Sequence, residues 1–256
     1  MTIGMKKIMK NKIQQKFMTI GGERLNKEFV SKIDQRIIAM SRKQHPQILF
    51  IPTASRDHAG YVEKFTDYFK FLGAQVDVLY LYTQKPTLDQ IKEKIVIADI
   101  IYVGGGNTLR MMNLWRKLGV DTLLQQAWNA GKVLCGTSAG SICWFKAGNS
   151  DSRKDNNPAA DYIKVTALGF IDAMNCPHYD SESDRKASLK KMLKNYSGIG
   201  IALDDFAALE IVGDTYKIVK STDTAQGYKV YWKNGQFHEQ VLDTINYQSL
   251  VGLLSK

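Results

Sequence analysis

The sequence predicts an α/β fold, a parallel-rich sheet with helices on both faces and antiparallel strands near the C-terminus. Three observations lead there. From Phe17 to Trp144, short apolar runs alternate with segments whose apolar residues recur at helical spacing. Two of those runs end directly in glycine-rich turns, Gly104-Gly105-Gly106 and Gly136-Thr-Ser-Ala-Gly140. The last quarter of the chain is a series of short strand-like segments with a hairpin signal at Asn234-Gly235. Alternating strands and helices imply parallel pairing, because each crossover helix returns the chain to the same end of the sheet and covers one of its faces.

The elements follow in order. Phe17 to Ile20 reads as a first strand closed by Gly21-Gly22, and Phe29, Val30, Ile33 and Ile37 mark the helix after it. Gln47 to Pro52 is a buried-looking strand; Tyr61, Val62, Phe65, Tyr68, Phe69 and Leu72 line one helix face that Gly73 ends. Gln75 to Tyr82 is a third strand, Leu88 to Val96 a third helix, and Asp99 to Val103 a fourth strand running into the glycine triplet. Met111, Leu114, Trp115 and Leu118, then Leu123, Leu124, Ala127 and Trp128, trace two more helices before the strand Val133-Leu134-Cys135. Gly148 to Pro158 is polar without periodicity and reads as a loop. Strand character returns at Tyr162, and Leu189, Met192, Leu193 and Tyr196 mark a further helix. Ile199–Leu203, Ala207–Val212, Thr215–Lys220 and Tyr228–Trp232 then read as strands extending the sheet.

Composition narrows the class. A chain of 256 residues with 44% hydrophobic and 23% charged residues can bury a large core, and disorder is excluded as its general state. No apolar stretch approaches the ~20 residues of a membrane span, and the start lacks a signal-peptide centre, so a cytoplasmic location is expected. Three cysteines without metal-ligand spacing argue against a disulfide framework or a zinc site. Half of the net charge of +10 comes from Lys6, Lys7, Lys10, Lys12 and Lys16. We therefore read residues 1–16 as a basic extension and 17–256 as one domain, and expect neither nucleic acid nor membrane as a partner.

Chemistry concentrates at Ser138. At the centre of G-x-S-x-G, a serine on a tight strand-to-helix turn projects above the sheet at the positive end of the next helix, and Gly136, Ala139 and Gly140 are small enough to permit that turn. The same pattern also suits a purely structural junction. A serine hydroxyl needs a base, an acid to orient that base, and amide donors for the oxyanion. Of the four histidines, His178 is the best placed base; His45, His58 and His238 sit at less suitable points. Cys135, Cys143 and Cys176 flank the site, but none occupies the centre of the turn.

Val103-Gly-Gly-Gly-Asn-Thr108, Gly136-Thr-Ser-Ala-Gly140 and Asn175-Cys-Pro-His178, in this order, resemble the serine peptidases of the peptidase E (aspartyl dipeptidase) and cyanophycinase family. The resemblance runs from Phe17 to the terminal strands. It implies a class I glutamine amidotransferase-like, flavodoxin-like fold with serine in place of cysteine at the elbow. It further implies Ser138 as nucleophile, His178 as general base, and the amides of Ala139 and Gly106 as oxyanion hole. An aspartate soon after the elbow helix partners the histidine in such enzymes, and Asp151 stands at nearly that distance; Asp155, Asp180 and the pair Asp204-Asp205 are alternatives. A basic residue is expected to recognise an acidic substrate side chain, and Arg185 is the nearest after His178; Asn107, next to the triplet, joins it as a substrate-binding candidate.

The expected function is a serine exopeptidase of dipeptidase type acting on small peptides through an acyl-enzyme, with a preference for N-terminal Asp open, and with no cofactor or metal. The chain is equally compatible with a homo-oligomer. Cyanophycinase-like, amidase or esterase activity and a non-catalytic binding role on the same scaffold are the alternatives. An α/β-hydrolase is disfavoured because only 40 positions separate Ser138 from His178.

Overall fold

A computed structural model describes residues 13–22 and 24–256. Residues 1–12, with Lys6, Lys7, Lys10 and Lys12 of the basic extension, lie outside them. Lys16 belongs to the fold: it opens strand β1 (Lys16–Ile20), and its Nζ donates to the Met40 carbonyl.

The alternation is present through the first half. After β1 come α1 (Lys32–Met40), β2 (Gln47–Ile51), α2 (Ala59–Phe71), β3 (Gln75–Val78), α3 (Leu88–Ile97), β4 (Ile100–Val103), α4 (Thr108–Leu118), α5 (Val120–Asn129) and β5 (Val133–Thr137). Local chemistry delimits these helices. Ser31 caps α1, Thr87 and Gln90 close a reciprocal capping box on α3, and Asn107 caps α4, which ends at left-handed Gly119. Strands β1, β5, β4, β2 and β3 pair in parallel in that order. Every residue of β4 and β5 is buried, as expected where both faces of a sheet are covered.

The second half departs from the expectation of one extended sheet. It contains α6 (Ala139–Ile142), β6 (Phe145–Ser150), β7 (Ile163–Thr166), β8 (Ile171–Cys176), α7 (Arg185–Lys194), β9 (Gly200–Leu203), β10 (Ala207–Val212), β11 (Thr215–Lys220), β12 (Gly227–Lys233), β13 (Gln236–Val241), β14 (Gln248–Ser249) and α8 (Leu250–Leu254). Only β10, β11 and β14 extend the first sheet, antiparallel beyond β1. The others build a second, six-stranded sheet in the order β13-β12-β9-β8-β6-β7. Gly148, Asn149 and Ser150, read as loop, form the buried end of β6. Their polarity is satisfied inside the fold: the Asn149 amide donates to Ser188 Oγ, its carbonyl accepts from Arg185, and the Ser150 and Ser152 hydroxyls pair at 2.7 Å.

Apolar layers join the parts. Helices α1 and α2 pack on one face of the first sheet through Ile33, Ile37, Phe65 and Phe69. On the other face a single cluster contains Met111 and Trp115 of α4, Leu123 of α5, and Phe145, Ile171, Ile201 and Leu203 of the second sheet. The far face of the second sheet, with Met174, Cys176 and Ala202, packs on Leu189 and Leu193 of α7. Among the described residues, no helix is long and apolar enough to cross a membrane.

Helix α1 also buries a carboxyl, Asp34, completely. Burial pushes its pKa up to about 7, and the nearby Tyr68 hydroxyl offsets only part of that rise. The folded chain therefore retains a proton that the unfolded chain releases above about pH 4. The associated stability is complete below that pH and is lost as pH rises toward 7, by up to about 4 kcal/mol for a three-unit shift. Asp34→Asn should flatten this fall. Urea midpoints near pH 5 and pH 8 measure it, and a native-like difference in the variant would remove Asp34 as its source.

Candidate active site

Strand β5 delivers Ser138 at its carboxyl end, and α6 begins one residue later. Ser138 has φ 55° and ψ −114°, a conformation that L-residues rarely adopt. Its N–H donates to the Ile20 carbonyl at 3.1 Å, which fixes the turn to β1. The turn also depends on missing side chains. A Cβ on Gly136 would come within 2.5 Å of the Gly140 carbonyl oxygen, and one on Gly140 would overlap the Val103 carbonyl.

His178 comes from the other sheet, two residues beyond β8. The Ser138 hydroxyl lies 2.9 Å from His178 Nε2, and His178 Nδ1 lies 2.6 Å from Asp205 Oδ1. A carboxylate only accepts, so the Nδ1 proton points to Asp205 and Nε2 is left with a lone pair for the serine proton. Asp205 follows β9, which runs parallel to β8 in the register Cys176↔Ala202. The two strand ends therefore present their following residues side by side. Burial alone would raise the Asp205 pKa; the hydrogen bond and charge of His178, the Ser181 hydroxyl and the Arg24 charge outweigh it and hold the group below the usual carboxylate range. His178 and Phe206 share the positive φ of Ser138, at 52° and 64°. Backbone strain of about 1–3 kcal/mol per residue thus gathers around one point.

The other sequence candidates lie elsewhere. Asp151 follows β6 rather than facing His178, and its charge acts on Tyr162 and Arg185. Asp155 binds Asn107 and Arg110, Asp180 accepts from the Asp205 N–H, and Asp204 accepts from the Gln226 N–H, with burial pushing its pKa up to about 6. Arg185 is not available to a substrate. Only 1% exposed, it donates to the Asn149 carbonyl and to Glu182 at 2.9 Å each and lies over the Tyr162 ring. It ties β6 to the segment that carries His178. Asn107 is likewise committed: Oδ1 caps α4, and Nδ2 donates to the Ser152 carbonyl and Asp155.

The motifs acquire structural roles as well. Within the triplet, Gly105 is the member against the serine, since its Cβ would lie 3.4 Å from Ser138 Cβ; its N–H donates to the Tyr61 hydroxyl. Gly106, at φ 133°, turns under the Ala54 carbonyl. Among the described residues, the amides of Gly106 and Ala139 donate to no group. Asn175 accepts from the Ser141 hydroxyl and donates to the Ile201 carbonyl, locking α6 to both strands that carry the histidine and the aspartate. Cys135, Cys143 and Cys176 are fully buried, and burial pushes the Cys176 thiol up to about 12, which removes it as a thiolate nucleophile.

One contributor had no sequence signal beyond a glycine pair. A Cβ on Gly22 would overlap Asp205 Oδ1 and reach 2.6 Å from His178 Nδ1. Gly22→Ala should therefore separate that pair and lower kcat by about 100-fold or more with little change in Tm. Kinetics beside a thermal melt test this, and native kcat would show that the pair tolerates the methyl group.

A polarised serine on a parallel-rich α/β scaffold, with its histidine held by a carboxylate, defines a serine-type hydrolase. The chain belongs to peptidase family S51, whose model matches residues 17–219. It is 38% identical over 200 residues to the uncharacterized peptidase YgaJ of Bacillus subtilis (strain 168), covering 77% of this chain and 84% of that one. It is 30% identical over 135 residues to peptidase E of Shewanella denitrificans, covering 52% and 54%. Its fold is similar to the crystal structure of a peptidase from an acI-B1 Actinobacterium, with a TM-score of 0.72 at 18% identity over 93% and 98% of the two chains. The protein is thus a peptidase E-like serine peptidase.

Proposed function

We propose that the protein is a serine exopeptidase of dipeptidase type that cleaves small peptides through an acyl-enzyme on Ser138. The observation that carries this reading is the chain from the Ser138 hydroxyl through His178 to Asp205, at 2.9 and 2.6 Å. The turn around Ser138 acts as a nucleophile elbow. His178 Nε2 takes the hydroxyl proton as Oγ adds to the peptide carbonyl, and the resulting imidazolium is stabilised by ionised Asp205. The Ala139 and Gly106 amides receive the oxyanion, each contributing about 3 kcal/mol. Collapse of the adduct expels the amine, which takes its proton from Nε2. Water, activated by the same nitrogen, then hydrolyses the ester and returns the proton to Oγ. Arg185, engaged with Asn149 and Glu182, is not the group that would select an N-terminal aspartate. Three buried unpaired cysteines fit a reducing compartment, so we place the enzyme in the cytoplasm.

The test combines fluorophosphonate labelling with a dipeptide panel of Asp-X, isoaspartyl and neutral N-termini. Labelling of Ser138 and serine-dependent cleavage of at least one class are expected. Absence of labelling, beside a reactive control hydrolase, would overturn the reading.

A further inference from the structure

The geometry points to Arg110 as a positioning residue that, clamped to Asp155, aims the Gly106 amide at the oxyanion. The inference rests on the proposed serine peptidase reading and adds to it a group that acts through Ala54 rather than on the reacting atoms. Gly105 lies against Ser138, so the peptide that carries the Gly106 N–H starts beside the serine. The amides on either side of that N–H are all anchored. Gly104 N–H donates to the Ile51 carbonyl at 3.1 Å, Gly105 N–H to the Tyr61 hydroxyl at 3.3 Å, and Asn107 N–H to the Ala54 carbonyl at 2.9 Å. Gly106 is exposed, and its N–H is the one in this run that donates to no described residue. A preorganised donor needs such fixed neighbours, because an amide plane free to rotate loses the aim that makes it useful.

Arg110 completes the anchor on the far side. Its Nη2 donates to the same Ala54 carbonyl at 2.9 Å, so Asn107 and Arg110 together fill both acceptor positions of one oxygen. Ala54 is a firm support: it is fully buried, and the hydroxyl of the preceding Thr53 accepts from the Trp115 indole at 3.2 Å. Gly106, at φ 133°, packs so closely that a Cβ on it would overlap the Ala54 carbonyl. Any drift of that carbonyl therefore moves Gly106. Asp155 aligns the guanidinium: its Oδ2 accepts from Arg110 Nη1 at 3.1 Å and from Asn107 Nδ2 at 2.8 Å. Asn107 Oδ1 in turn accepts the Arg110 N–H, which closes a ring of contacts around the turn. Local preference disfavours an arginine at this point. It stands in the first turn of α4, where the positive end of the helix opposes a cation, and its Nε is buried with no partner among the described residues. Conflicts of this kind gather at functional sites, and what Arg110 reaches is the support of Gly106.

The experiment measures kcat, KM and the affinity of a peptide aldehyde for native protein, Arg110→Met and Asp155→Ala. The aldehyde adds to Ser138 and places its oxygen where the oxyanion forms, so it reads the hole directly. Arg110→Met, which keeps an aliphatic stem, should lower kcat about tenfold or more and weaken the aldehyde by a similar factor. KM and the pH at which kcat/KM rises should stay native, because substrate contacts and the line from Ser138 to Asp205 are untouched. Asp155→Ala should show the same pattern at about threefold, since Arg110 keeps its bond to Ala54 but loses its alignment. Native kcat and aldehyde affinity in Arg110→Met overturn the clamp, and so does a rise in KM alone, the mark of a substrate-binding group. Should Arg110→Met fail to fold, native kcat in Asp155→Ala overturns it instead. Absence of Ser138 labelling and of all cleavage by native protein would be a failure of the peptidase reading. Amide hydrogen exchange then decides the clamp without turnover. The Asn107 N–H should exchange about tenfold faster in Arg110→Met, and native protection overturns the inference.

Discussion

Ser138→Ala is expected to lower turnover by about four to six orders of magnitude while leaving the fold intact. On the proposed route the substitution removes the hydroxyl that would carry the acyl group, and it changes no packing, because the hydroxyl faces His178 across 2.9 Å. His178→Ala should lose a similar amount by leaving the hydroxyl without a base. The two losses are not independent. Base and nucleophile act in one step, so the double variant should be little worse than either single one. Thermal melts would establish that each variant folds, and turnover measured in preparations free of other peptidases would test the roles. A Ser138→Ala protein that still hydrolysed the native substrate would exclude the acyl-enzyme.

Asp205→Asn should cost about 10⁴-fold in kcat, whereas Asp151→Asn should cost less than about threefold. The contrast is physical rather than positional. An asparagine amide offers its own N–H toward Nδ1, which favours the tautomer with its proton on Nε2 and leaves no lone pair for the serine. It also removes the negative charge that stabilises the imidazolium. Asp205 is suited to that task because His178, Ser181 and Arg24 keep it ionised against the opposing effect of burial. Asp151, at the end of β6, has no contact with the imidazole to lose. Equal effects of the two substitutions would return the acid to the position expected from the family pattern. A loss confined to Asp205 would place it at the turn between the two sheets.

The separation between legible and hidden features follows the length scale of the interactions. Ser138 and His178 could be singled out as candidates because each lies in a short motif whose glycines, prolines and small residues are demanded by backbone geometry a few residues away. The partner of His178 could not, because β8 and β9 are joined through α7 and become neighbours only by pairing. Asp205 was one of several acids in polar surroundings, with no local feature to separate it from Asp151, Asp155 or Asp180. The surroundings of Arg185 were hidden for a similar reason. In sequence Arg185 is a lone arginine after His178, and only the fold brings β6 and Tyr162 around it.

By itself the sequence determined the alternating α/β layout, the strand-to-helix turn that exposes Ser138, and the family, since periodicity and turn chemistry depend on residues within a few positions of one another. Only the tertiary structure decided that the terminal strands divide between two sheets, and that the polar stretch from Gly148 to Ser150 is a buried strand. It alone brought Asp205 behind His178. Those outcomes depend on which strands pair and which polar groups find partners across long separations, and such choices are settled by the packing of the whole chain.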